Sequence, residues 1–147
     1  MNPPITERFA YVESSPTIGP VSALPYLPIT LRLRDRDLRV PALVDSGSTL
    51  NVLPFGVGLQ LGADWDRQTI QVALSGNLAA SEARALVVVG QIGRLPPVRL
   101  AFAWTRNDRV PVILGQTNFF SEYEIRFCRN AWFFEVTPCS VRDSISD

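Results

Sequence analysis

Short stretches in which apolar and polar residues alternate follow one another along most of this chain. Between residues 29 and 34, for example, Ile, Leu and Leu alternate with Thr, Arg and Arg, which is the pattern of a strand with one buried face. Comparable strand-forming stretches lie at 38–44, 70–74, 78–89, 99–104, 110–114, 124–128 and 131–136. Seven or more short strands, without the regular alternation of strands and helices, predict an all-β barrel or sandwich.

One short helix is expected near the C-terminal end, at residues 116–123, where Phe and Tyr side chains recur at helical spacing after Thr117, a suitable N-cap residue. A closing hairpin should follow, with its turn at Arg129 and Asn130, where Asn130 is able to adopt a positive φ. Residues 55–62, which contain three glycines, are expected to form a loop.

The predicted domain covers residues 26–136. The first 25 residues are rich in proline, serine and threonine, which predicts an extended N-terminal arm, although residues 9–12 are able to form an edge strand. Residues 137–147 form a polar C-terminal tail. No internal repeat is found, so each sequence motif occurs once.

Composition and charge narrow the class of protein. At 147 residues the chain is long enough for one domain with a substantial core. The formal net charge is zero, which gives no electrostatic reason to expect nucleic acid or an anionic membrane as a partner. The longest apolar run, at 85–90, is too short to cross a bilayer. We therefore expect a cytoplasmic protein without a membrane partner.

The chain contains no histidine and no lysine, because all fourteen basic residues are arginines. This excludes Ser-His-Asp and Cys-His catalysis, histidine-based metal sites and Schiff-base lysines. Hydrolytic chemistry then has to come from carboxylates or from a metal held by oxygen ligands. Cys128 and Cys139 are too few for a metal site. They are expected to be free thiols in a cytosolic protein, or a disulfide bridge if the chain is exported, and to have no catalytic role.

Asp45 is the principal candidate for a catalytic residue. It lies in the segment 40–49, Val-Pro-Ala-Leu-Val-Asp-Ser-Gly-Ser-Thr, where an apolar strand gives way to a small polar turn. A carboxylate at the end of a buried strand is costly unless it is hydrogen-bonded or shares a proton. Ser46 and Ser48 offer hydroxyl groups nearby, and Gly47 allows a tight turn.

The segment 40–49 resembles the active-site loop of retropepsin-like aspartic proteases. Further along, Ile113, Leu114 and Gly115, followed by the predicted helix at 116–123, resemble the apolar-apolar-Gly strand and helix that cross behind the catalytic loop in that family. The resemblance covers residues 26–136. It implies a closed β-barrel with one short helix near the C-terminus, and no cofactor and no metal.

The same resemblance implies an aspartic endopeptidase that cleaves peptide or protein substrates. Because the chain has only one such loop, a two-fold homodimer would supply the second Asp45. Ser46, Gly47, Ser48 and Thr49 would support the loop, with Ser46 bonding across the dimer and Ser48 bonding the outer oxygen of Asp45.

A flap closing over the substrate is expected between these two motifs. Ser75, Gly76 and Asn77 lie where the family places its flap, although they lack the aromatic residue or the glycine-rich tip found in relatives. They are equally compatible with an ordinary hairpin turn. The flap assignment therefore rests on position alone.

Two other interpretations of Asp45 remain open. The Asp-Ser-Gly-Ser sequence is also ordinary turn chemistry, in which the aspartate caps its own backbone. The chain would then be a non-catalytic dimerisation or peptide-binding module of the same fold. Alternatively, Asp45 together with Asp64 or Asp66 would hold a metal ion in a hydrolase with oxygen ligands.

Overall fold

A computed structural model describes residues 5–140, so the ends of the predicted arm (1–4) and of the predicted tail (141–147) lie outside the described residues. The strands are β1 (Glu7–Ala10), β2 (Val12–Glu13), β3 (Ala23–Leu24), β4 (Tyr26–Leu33), β5 (Arg36–Val44), β6 (Asn51–Leu53), β7 (Ala83–Gln91), β8 (Val98–Thr105), β9 (Val112–Leu114), β10 (Tyr123–Cys128) and β11 (Phe133–Pro138). The α-helices are α1 (Phe55–Gln60) and α2 (Phe119–Glu122). Single 3-10 turns lie at Gly19–Ser22, Trp65–Arg67, Gly76–Leu78 and Arg129–Ala131.

Six strands form a closed barrel in the order β4-β5-β9-β6-β8-β7. The β4–β5 and β7–β8 pairs are antiparallel, whereas β5 pairs with β9 and β6 pairs with β8 in parallel. Closure leaves the barrel without a free edge strand. The predicted all-β fold is therefore confirmed in its barrel form.

The barrel core follows from the alternating pattern of the sequence. Leu27, Ile29 and Leu31 of β4 point inward and are at most 1% exposed. At one end of the core, the buried indole of Trp104 stacks on Phe55 with ring centroids 5.5 Å apart and meets Trp65 edge-on at 5.2 Å. Burial of each such side chain stabilises the fold by about 1.5–3 kcal/mol.

The prediction of a loop at 55–62 is wrong, because Phe55–Gln60 form α1. The glycines that suggested a flexible loop instead permit close packing. A Cβ atom on Gly58 would lie 2.2 Å from the indole of Trp104, and the Trp104 Nε1–H donates to the carbonyl of Phe55 at 3.1 Å. Gly62, with φ +82°, follows the helix.

The helix predicted at 116–123 is shorter than expected. It comprises Phe119–Glu122, and its N-cap residue is Asn118 rather than Thr117. The N–H of Thr117 donates to the carbonyl of Thr49 instead. Tyr123 begins β10, because its ring is buried in the core against Phe119.

A second sheet, in the order β1-β11-β10, joins the two ends of the described chain. Residues 9 and 10 of the suggested edge strand belong to β1, which pairs with β11 from Glu7↔Val136 to Ala10↔Phe133. The predicted β10–β11 hairpin is present, but the positive φ occurs at Trp132 (61°) and not at Asn130. Arg129–Ala131 form a 3-10 turn, which moves the left-handed residue further along the chain.

Cys128 and Cys139 lie at opposite ends of β10. Cys128 is its last residue, whereas the N–H of Cys139 donates to the carbonyl of Glu122, the residue before β10 begins. A six-residue strand is about 17 Å long, well beyond the Cα separation of about 7 Å that a disulfide tolerates. A bridge between these two cysteines is therefore incompatible with this fold.

None of the helices among residues 5–140 has the length and apolar character needed to span a membrane.

Candidate active site

Asp45 is held by its main chain at the end of the β5–β9 pair. These strands run parallel, with Val44 opposite Leu114, and the N–H of Asp45 donates to the carbonyl of Leu114 at 2.9 Å. The apolar residues of β5 and β9 thus bring Asp45 to the point where both strands leave the barrel.

The turn that follows Asp45 is fastened to the segment after β9. The N–H of Gln116 donates to the carbonyl of Ser48 at 2.8 Å, and the N–H of Thr117 donates to that of Thr49 at 2.9 Å. The side-chain amide of Gln116 also donates to the carbonyl of Ser46 at 2.8 Å. Three hydrogen bonds therefore fix the shape of the loop from one side.

Gly115 allows this close approach. A Cβ atom at this position would lie 2.4 Å from the carbonyl oxygen of Leu50 and 2.7 Å from that of Ser48, which is closer than any real Cβ contact. The structure therefore places the predicted strand residues Ile113, Leu114 and Gly115 directly behind the loop.

Asn51 and Asn118 tie the same region together, and neither was identified from the sequence. Asn51 is fully buried; its Oδ1 accepts the N–H of Gly115 at 2.8 Å, and its Nδ2 donates to the carbonyl of Ala101 and to Asn118 Oδ1. Asn118 Oδ1 also accepts the N–H of Ala101. The only signal in the sequence is one asparagine within the apolar stretch 50–53.

The side chain of Asp45 is half-buried, while Ser46 and Gly47 are exposed. Asp45 Oδ1 accepts the N–H of Gly47 at 2.9 Å, and the Asp45 carbonyl accepts the N–H of Ser48 at 3.1 Å. Within the described part of the chain, Oδ2 has no hydrogen-bond partner. The carboxylate is thus oriented by its own turn and keeps one oxygen available.

Ser48 does not make the bond to Asp45 that the family resemblance implied. Its Oγ donates to the carbonyl of Leu50 at 2.7 Å. A hydroxyl has a single proton to donate, and the Leu50 carbonyl, two residues along the turn, takes it. Ser48 thus stabilises the turn and not the carboxylate.

A cavity of about 430 Å³ opens around Asp45. Its apolar walls come from both ends of the described chain, namely Tyr11, Leu24 and Pro25 from the N-terminal side and Phe127 from β10. Leu24 and Phe127 are 39% and 42% exposed. No pattern in the sequence indicated that these segments meet beside Asp45.

The flap candidates Ser75, Gly76 and Asn77 lie on an exposed loop, not in a tight hairpin turn. Gly76–Leu78 form a 3-10 turn. The expected strand at 70–74 is reduced to one bridge, Gln71↔Arg84, and the expected extended segment from 78 begins at Ala83. The loop between these pairing positions is too long for a two-residue turn.

Asp64 is engaged in local structure through its carboxylate, and Asp66 through its main-chain N–H. Asp64 caps the 3-10 turn Trp65–Arg67 by accepting the N–H of Asp66 at 3.1 Å, and it pairs with Arg67 at 3.6 Å. In residues 5–140, no three Cys, Asp or Glu side chains form a group able to hold a metal ion. The metal-hydrolase interpretation finds no support in this arrangement.

Comparison with known proteins identifies the fold. No protein-family model matches the chain, and no curated protein matches it either. Among solved structures, the crystal structure of a retropepsin-like aspartic protease from Rickettsia conorii matches with a TM-score of 0.62, covering 94% of this chain and 96% of that one at 11% sequence identity. The chain therefore has a retropepsin-like fold.

Proposed function

We propose that this chain is an aspartic endopeptidase that acts as a two-fold homodimer, with one Asp45 from each subunit. The observation that carries the proposal is the position of Asp45. It leaves β5 on a turn that is fastened to the segment after β9, within a retropepsin-like fold. A fixed carboxylate at the mouth of an apolar cavity is suited to acid–base chemistry on a peptide bond.

A second carboxylate is required for this reaction. Two carboxylates about 3 Å apart, as in the aspartic-protease dyad, cannot both ionise and therefore share a proton. The ionised member takes a proton from a bridging water as the water attacks the scissile carbonyl. The protonated member donates to the carbonyl oxygen, and the amide nitrogen is then protonated as it leaves. Because one proton has to be retained, we expect an optimum on the acidic side of neutral.

The surroundings of Asp45 favour a second copy of the chain as the source of that carboxylate. Leu24 and Phe127 expose apolar surface in the cavity beside it, and contact with another subunit would remove this surface from water. Ser46 is exposed at the tip of the turn, where its hydroxyl is accessible to an opposing loop. The site residues Ser46, Gly47, Ser48 and Thr49 act in this proposal through the shape of the turn.

The test is the Asp45→Asn variant, assayed on a diverse peptide library and for self-cleavage, with Asp66→Asn as the matched control. Asparagine is isosteric, and its side-chain carbonyl can still accept the N–H of Gly47. We expect cleavage by the native chain and by Asp66→Asn, and a loss of at least about 1,000-fold in Asp45→Asn. Cleavage that persists in Asp45→Asn would refute the catalytic role of Asp45.

One observation favours a second candidate function. The bond from Gly47 N–H to Asp45 Oδ1 is the one expected of an aspartate that only shapes a turn. The chain would then be a non-catalytic dimerisation or peptide-binding module. A strictly monomeric mass in solution at high concentration, together with no cleavage between about pH 4 and 7, would select this function over the protease.

A further inference from the structure

The outer face of the β4–β5 hairpin carries a continuous stripe of side chains that leads away from Asp45. Leu43, Pro41 and Arg39 alternate with inward-facing residues of β5. The register pairs Leu43 with Tyr26 and Pro41 with Pro28. Residues two apart on a strand share a face, so the stripe extends from the candidate site to Arg39.

The part of this stripe beyond Leu43, namely Pro41 and Arg39, forms one wall of a second, larger cavity of about 890 Å³. Its other walls include Pro54, just before α1, and Pro111, just before β9. The two cavities adjoin at one cross-strand pair, because Tyr26 lines the larger cavity and Leu43 lines the one around Asp45. The larger cavity therefore lies next to the one around Asp45 along this hairpin.

Four prolines, at positions 28, 41, 54 and 111, line the larger cavity. Proline has no N–H to donate and a fixed φ, so these positions cannot extend a β-ladder to an incoming strand. Recognition in this cavity therefore depends on apolar contact with rigid walls. An extended peptide with Leu, Val or Pro side chains satisfies this requirement.

Arg39 adds a charge to this apolar surface. It is the one charged side chain among the described residues that line the cavity. It is exposed, and it takes part in no ion pair recorded within residues 5–140. On the same hairpin, Arg32 pairs with Asp37, its cross-strand neighbour. The cross-strand neighbour of Arg39 is Thr30, which carries no charge.

We propose that this cavity is a docking site for the distal part of the substrate, an extended apolar segment that presents a carboxylate to Arg39. The inference rests on the proposed peptidase function. Asp45 lies six positions after Arg39, just beyond the end of β5, at a distance of about 20 Å. The preferred substrate therefore has Glu or Asp about six residues from the cleaved bond. In a two-fold dimer each subunit offers one such site, on opposite sides of that bond.

Binding is tested in the Asp45→Asn protein, so that no cleavage intervenes. The probes are fluorescent peptides of about ten residues made of leucine, valine and proline, with glutamate, glutamine or lysine at either end. By fluorescence anisotropy we expect the glutamate peptide to bind about two- to fivefold more tightly than the glutamine peptide, the strength of an exposed ion pair. Arg39→Glu should abolish this preference and favour lysine. Arg99→Glu, an exposed strand arginine outside the cavity, should leave it unchanged.

A second variant keeps the test independent of folding defects at Arg39. Pro41 is exposed on the same face, and Pro41→Glu would place an intramolecular carboxylate beside Arg39 and also weaken the preference for glutamate. In the active protein, a distal glutamate on a cleaved peptide should lower KM with little change in kcat, because the contact is the same in ground and transition states.

Two results would overturn the docking proposal. One is equal affinity for the glutamate and glutamine peptides in the Asp45→Asn protein that keeps Arg39 and Pro41. The other is a preference for glutamate that survives Arg39→Glu. Cleavage by the native chain with no effect of a distal glutamate leaves the protease proposal intact and removes this one. If the chain cleaves no peptide but binds the glutamate peptide through Arg39, the docking surface remains and the protease proposal is removed.

Discussion

The side-chain carbonyl of Asn51 accepts the N–H of Gly115 at 2.8 Å. The carbonyl of that same Leu114–Gly115 peptide accepts the N–H of Asp45 at 2.9 Å. One peptide unit thus connects a fully buried amide side chain to the main chain of the candidate catalytic residue. Because both ends of the unit are engaged, Asn51 sets the position from which Asp45 leaves the barrel.

Replacing Asn51 should destabilise the protein strongly. Asn51→Ala removes the acceptor for Gly115 N–H and the donor for the Ala101 carbonyl, and each buried group left without a partner costs about 1–3 kcal/mol. We expect the free energy of unfolding in urea to fall by at least about 2 kcal/mol. Asn77→Ala, at an exposed position, is the control and should change it by less than about 0.5 kcal/mol. Equal stability of the two variants would contradict the role of Asn51.

Gly115→Ala should damage both stability and activity. The added methyl group would meet the carbonyl oxygens of Leu50 and Ser48 at 2.4 and 2.7 Å, and these backbone atoms cannot move without displacing the loop. We expect a loss of more than about 2 kcal/mol in thermal or urea unfolding. At Gly56 the nearest atom belongs to the Asp108 side chain at 3.2 Å, which can shift. Gly56→Ala should therefore be tolerated, and a similar loss in both variants would argue against the steric explanation.

The loss of stability in acid should come partly from Glu135. The hydrogen bond from Arg126 and then that from Arg8 lower the pKa of Glu135 below its ordinary value of 4.5. A lowered pKa in the folded state means that the stabilisation is complete above pH 4.5 and is lost as the pH falls through the folded-state pKa. The difference in melting temperature between the native chain and Glu135→Gln should therefore be present at about pH 7 and diminish as the pH is lowered progressively below 4.5.

Glu124→Gln, on the neighbouring strand β10, serves as the control for this experiment. Since Glu124 takes part in no ion pair recorded among residues 5–140, its substitution should give no such pH-dependent difference. A pH-independent difference for Glu135→Gln would show that packing, and not charge, is responsible.

Tyr123→Phe should not destabilise the protein at neutral pH. The Tyr123 hydroxyl is buried without a hydrogen-bond partner among residues 5–140, so its removal should preserve the free energy of unfolding or raise it by up to about 1 kcal/mol. Burial, followed by the nearby charge of Glu122, raises the pKa of Tyr123 to about 12 from an ordinary 10.0. Stability should therefore decline as the pH rises above 10.0 in the native chain.

Tyr123→Phe should lack the component of that alkaline decline that comes from this hydroxyl. Urea unfolding of both proteins at pH 8 and at about pH 11 measures the difference. Tyr26→Phe, at a half-buried position, is the comparison. A large loss of stability in Tyr123→Phe at pH 8 would mean that the hydroxyl has a partner.

The strands could be predicted from the sequence where burial of one face was enough to determine the structure. Burial of one face fixed β4, β5 and β8, because alternating apolar residues have a single way to enter a core. The helix α1 was missed since Gly58 and Gly62 were interpreted as flexible, whereas Gly58 is required by the indole of Trp104. That contact joins residues 46 positions apart, and no local pattern contains it.

In the candidate site too, features carried by a local motif could be predicted, whereas features that depend on distant segments could not. Asp45 and the strand behind it were recognisable because their chemistry lies in short contiguous motifs. The partner of Ser48, the network of Asn51 and Asn118, and the apolar walls from Tyr11 and Phe127 depend on segments that meet only after folding. Family resemblance suggested a bond from Ser48 to Asp45, but the Leu50 carbonyl receives that proton.

The pairing of β1 with β11 brings together Glu7 and Val136. During synthesis on the ribosome, β1 leaves the exit tunnel before β11 and has no partner until β11 has also emerged. Contacts between such distant positions form slowly, and an unpaired strand is vulnerable to association with other chains meanwhile. Completion of this sheet is therefore a late event in folding, and β1 is the segment for which a chaperone would have the longest opportunity to bind.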